Sequence, residues 1–159
     1  MVARRLDVTR LTNVKDVRQY MANVERKIGK ESDEWRAAFR HLVQLEGGNV
    51  SRETDPERRA AENDFYSGLA AYEELLAMKH GRRQRAGYTR RMLNHKTVFQ
   101  IVEDWVKVEG ATEGFKLLIA MGMPELTGEH FAIKWRKFFG PDVVERARRV
   151  LAANGVNTG

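Results

Sequence analysis

The chain has no cysteine. Disulfide staples and thiolate metal sites are therefore excluded, and the fold must be held by packing and hydrogen bonds. Proline is scarce, at positions 56, 124 and 141 only, each where it suits a helix start or a turn. Long apolar runs are missing too. The longest is the five residues "LLIAM" at 117–121, against the roughly 20 that a membrane-crossing helix needs. Residues 1–10, "MVARRLDVTR", place two arginines ahead of no apolar segment, so no secretory leader is expected. These absences lead to the expectation of a cytoplasmic protein with no membrane partner.

What is present is a helical pattern. The 159 residues suit one domain, and 42% hydrophobic content is enough for a core. Leu11, Val14, Val17, Met21, Val24 and Ile28 recur at steps of three and four, which places them on one helix face behind a cap at Thr12. Ser32 caps a second helix bearing Trp35, Phe39 and Leu42, which ends at "EGG". Asp55-Pro56 opens a third, whose pattern runs unbroken to His80 before Gly81. Further stripes follow at Val98 to Val106, after Thr112, after Thr127 (with Phe131, Trp135, Phe138 and Phe139 in one helix) and after Pro141. No stretch alternates with a period of two. The expected fold is all-α, a single compact domain over residues 1–159 with about six to eight helices and one long central helix.

Charge is concentrated rather than dispersed. Residues 1–78 carry 13 Lys/Arg and 14 Asp/Glu, and residues 97–159 carry eight of each. Residues 79–96, "KHGRRQRAGYTRRMLNHK", carry seven Lys/Arg and no acid, so the whole net charge of +6 traces to this segment. Gly81 and Gly87 interrupt it, so it reads as a loop, or a short turn over 82–86, leading into a helix from Thr89. Clustered guanidinium groups repel one another, a cost that phosphate oxygens relieve with matched geometry. Tyr88 among them offers a stacking face for an unpaired base. In composition the stretch resembles the arginine-rich segments of some RNA-binding phage proteins; the likeness is one of composition alone and covers about a tenth of the chain.

Other chemistry fits the sequence less well. "GRRQRAG" lacks the Lys-Ser/Thr pair of a nucleotide phosphate loop, and His41, His80, His95 and His130 stand at no metal-ligand spacing. No cofactor and no metal are expected. His80 and His95 flank the basic run as an acid–base pair would, but read better as exposed helix-end groups. Glu73 and Glu74, being adjacent, point to different helix faces. Residues 112–135 have the order of a helix-turn-helix, but Glu129 would sit where the second helix meets DNA, so a packed αα-hairpin is the better reading. The crowding of Phe131, Trp135, Phe138 and Phe139 raises the possibility of a partner surface. The expected function is a nucleic-acid-binding accessory or regulatory protein that contacts DNA or RNA phosphates through Lys79, Arg82, Arg83, Arg85, Arg90, Arg91 and Lys96, with Tyr88 stacking. The alternative partner is an acidic protein surface.

Overall fold

The computed structural model describes residues 7–158. Cap chemistry sets where most of its helices begin. Asn13, Ser32 and Asp55 each accept a first-turn backbone N–H and open α1 (Val14–Ile28), α2 (Asp33–Gly47) and α3 (Pro56–His80). Thr97, Thr112 and Thr127 do the same for α5 (Val98–Lys107), α6 (Glu113–Ala120) and α7 (Gly128–Lys134). Between and after these lie α4 (Gly87–Met92) and α8 (Pro141–Ala153), neither with a side-chain cap. No strand occurs among the described residues. The all-α domain with a long central helix is as expected, α3 running 25 residues, about 38 Å.

Three local expectations are corrected. The cap of α1 is Asn13, whose side chain also donates to Asp16, and not Thr12. The helix inside the basic segment begins at Gly87, two residues before Thr89, and 82–86 form no helical turn. The helix after Thr127 stops at Lys134; Arg136–Phe138 is a 3-10 turn and Phe139 is extended. The period of the aromatic residues continues through this break because all of them face one core.

That core has two parts joined by α3. Val17 and Met21 of α1 and Trp35, Phe39 and Leu42 of α2 pack with Ala70, Ala71 and Leu75 of α3 and Leu118 of α6. The earlier turns of α3 (Ala61, Phe65, Leu69) pack instead with Val98, Ile101 and Val102 of α5, Phe131 of α7 and Val143 and Ala147 of α8. Each fully buried Phe or Leu contributes about 1.5–3 kcal/mol. Phe138 stacks on Phe99 with ring centroids 4.5 Å apart, and Phe139 meets Phe131 edge-on at 6.0 Å. The aromatic crowding of the last third is thus largely spent inside the molecule. α6 packs chiefly on α3 and α7 on α5 and α8, so the expected αα-hairpin is replaced by two helices serving different parts of the core.

The helices approach closely where glycine permits it. A Cβ on Gly47 at the end of α2 would stand 2.3 Å from the Tyr66 carbonyl oxygen of α3.

Candidate nucleic-acid interface and adjoining cleft

The basic segment leaves α3 through Gly81, whose left-handed φ of +70° turns the chain off the helix axis. It is then pinned by Glu73, about two turns back on α3. The Glu73 carboxylate accepts from the Ala86 backbone N–H at 2.9 Å and from Arg90 Nε and Nη2 at 2.7 and 2.6 Å. Burial pushes this carboxyl up, but the Arg90 and Ala86 hydrogen bonds outweigh it and hold Glu73 below the ordinary carboxylate range. Ala86 and Thr89 are buried, so α4 has an inner side as well as an outer one.

This geometry divides the predicted surface. Arg90 is held by Glu73, Lys79 by Glu113 at 2.8 Å and Lys96 by Asp104 at 2.7 Å. Their hydrogen bonds to these carboxylates raise the Arg90, Lys79 and Lys96 values. Arg82, Arg83, Arg85 and Arg91 are exposed and make no ion pair with the described residues. Tyr88 is 69% exposed beside them. The open group therefore comprises four guanidinium groups and one ring, fewer than the sequence suggested. In the basic stretch "KWRK" at 134–137, Lys134 is bound to Asp64 and Lys137 to Glu57. Arg146 donates to the Val106 carbonyl at 2.8 Å and so acts within the fold.

A cleft of about 660 Å³ adjoins the open group. Phe65, Leu69, Tyr72 and Leu76 of α3 line it together with Trp105, Phe115 and Phe131, the Phe65 and Trp105 rings stacking on each other with centroids 5.5 Å apart; Arg85 and Tyr88 line it too. The acids Asp64, Glu113 and Glu125 also line it, but each already holds a cation: Lys134, Lys79 and Arg40. Glu129 is different. It is 2% exposed, lines the same cleft, and its Oε2 has no hydrogen-bond partner among the described residues. Burial pushes its carboxyl up to about 7.

Elsewhere Arg18 of α1 donates to both oxygens of Glu74 on α3, at 3.0 and 2.5 Å, and approaches Glu46 of α2 at 3.7 Å. Burial and a hydrogen bond shared with Glu74 push Glu46 up to about 7. The trio joins three helices and borders no part of the cleft. Among the described residues no three His, Cys, Asp or Glu side chains come together as a metal group, and no helix is long and apolar enough to cross a membrane. His80 and His95 are both exposed, and only His80 lies along the cleft.

Sequence reasoning missed Glu73 as the clamp of the basic segment and Glu129 as a buried acid. The only signal for Glu129 was its place between Thr127 and Phe131, on the inward face of a capped helix. No family model, curated protein or solved structure matches this chain.

Proposed function

We propose that the protein binds nucleic acid through phosphate contacts from Arg82, Arg83, Arg85 and Arg91, with Tyr88 as a stacking face. The observation that carries the reading is the contrast within the segment. Nearby cations each hold a carboxylate, whereas these four are exposed and make no ion pair among the described residues. Like charges kept together without counter-charge suit an anionic polymer. The Glu73 clamp gives the loop a fixed base, which lowers the ordering cost on binding.

Four phosphate contacts give a slope of log K against log salt of about −3 for single strands and about −4 for duplex DNA. Fluorescence anisotropy with duplex DNA, single-stranded DNA and RNA over a salt series measures it. Changing Arg82, Arg83 and Arg85 together to alanine is expected to weaken binding by about tenfold or more and to bring the slope near −1. The three side chains are exposed, so circular dichroism should be unchanged. Absence of binding to all three polymers at low salt would overturn the reading, and binding that survives the triple change would move the site elsewhere.

A further inference from the structure

We infer that the cleft bordered by the arginine loop receives one unpaired nucleotide, its base on the part-exposed Tyr72 and Trp105 rings and against Glu129, its phosphate at Arg85. This rests on the nucleic-acid reading above and adds a base-holding site to it.

The cleft leaves one rim cation and one buried acid unmatched. Its rim acids are neutralised in place by Lys134, Lys79 and Arg40, so they present no free negative charge to a ligand. The rim charge left over is the guanidinium of Arg85, which favours an anionic group. Among its lining aromatic residues Phe65, Phe115 and Phe131 are buried, whereas Tyr72 and Trp105 are part-exposed, and aromatic faces hold bases by stacking with little regard to sequence. The buried Glu129 Oε2 meets no donor among the described residues, a deficit that costs about 1–3 kcal/mol for a buried polar group until a donor arrives. An amino or ring N–H of a nucleobase is such a donor. Burial brings the Glu129 carboxyl to about 7, so near neutral pH it is able either to accept from a base or to donate to one.

The same features exclude simpler ligands. A purely apolar molecule would leave Glu129 unmatched, and an organic cation would meet Arg85. An anionic group, a flat ring and an N–H donor on one small molecule describe a nucleotide. The volume of about 660 Å³ falls within the range of small-molecule sites.

The test uses the full chain, isotopically labelled, with AMP, CMP, GMP and UMP added separately to about 5 mM, where even weak binding is visible. Saturable shifts are expected at the Trp105 indole N–H and at Leu69 and Phe131 for at least one nucleotide. Glu129→Leu, which removes both acceptor and donor at similar volume, should weaken that binding about tenfold or more while leaving duplex affinity and its salt slope unchanged. Ser67→Trp, which fills the cleft from α3 at a half-buried position, should abolish the shifts and guards against a folding defect in the first variant. No shift at the lining residues with any of the four, or shifts indifferent to both substitutions, would overturn the inference. If duplex binding with its salt slope persists in that case, the arginine reading stands alone. If the nucleotides bind the cleft but no polymer binds the protein, the arginine reading falls and the site belongs to a free nucleotide.

Discussion

Glu73 shows how one carboxylate decides what a cationic segment is free to do. It binds Arg90 with two hydrogen bonds and accepts the N–H of the buried Ala86 with the same side chain. Glu73→Ala should therefore orphan a buried backbone donor and cost about 1–3 kcal/mol, measured by urea unfolding. It should also release Arg90, so nucleic-acid affinity is expected to hold or rise while stability drops. The partnership was not legible in the sequence, because Glu73 and Arg90 lie 17 residues apart on opposite sides of a glycine turn. What was legible is that adjacent Glu73 and Glu74 face different ways. Glu73 meets α4, and Glu74 meets Arg18 of α1. Glu129 looked like a solvent-facing acid at the start of a helix; only the tertiary placement of α7 against α5 and α8 buries it.

At the scale of elements, the boundaries that rest on local chemistry were readable. Ser32, Asp55, Thr112 and Thr127 cap the helices they were expected to cap because the bond spans only three residues. The break after Lys134 was not, since Phe138 and Phe139 keep a helical spacing while the chain leaves the helix to reach Phe99 and Phe131. Nor was the packing of α2 on α3. That crossing depends on Gly47, where an added methyl meets the Tyr66 carbonyl at 2.3 Å, a backbone atom that cannot swing aside. Gly47→Ala is expected to lower stability by about 2–3 kcal/mol, despite alanine's better helix propensity. A chemical denaturation midpoint unchanged or raised would show that the helices move apart freely.

For the whole molecule, net charge and helix count followed from composition and periodicity, but the cleft did not, because its walls come from α3, α5, α6 and α7 together. Burying Glu129 there has a consequence for pH dependence. Its folded value of about 7 lies above the ordinary 4.5, so the folded chain keeps a proton that the unfolded chain loses over that interval. This contribution is fully present below about pH 4.5 and fades as pH rises through 7, by roughly 2–4 kcal/mol. Glu46, raised to about 7 by burial and by Glu74, acts in the same direction. Glu73, held low, acts oppositely and only at acid pH. Unfolding measured between pH 5 and 7.5 should show stability falling, and Glu129→Gln should flatten that fall. An equally steep fall in the variant would assign it to other groups.

The third helix gives its early turns to one apolar cluster and its later turns to the other. Unwinding of the whole rod takes a wall from both clusters at once, so the halves are expected to melt together; they share a backbone as two rooms share a beam. The seam where the rod passes from one to the other is also where the cleft opens, which ties the shape of the opening to the integrity of both halves at once.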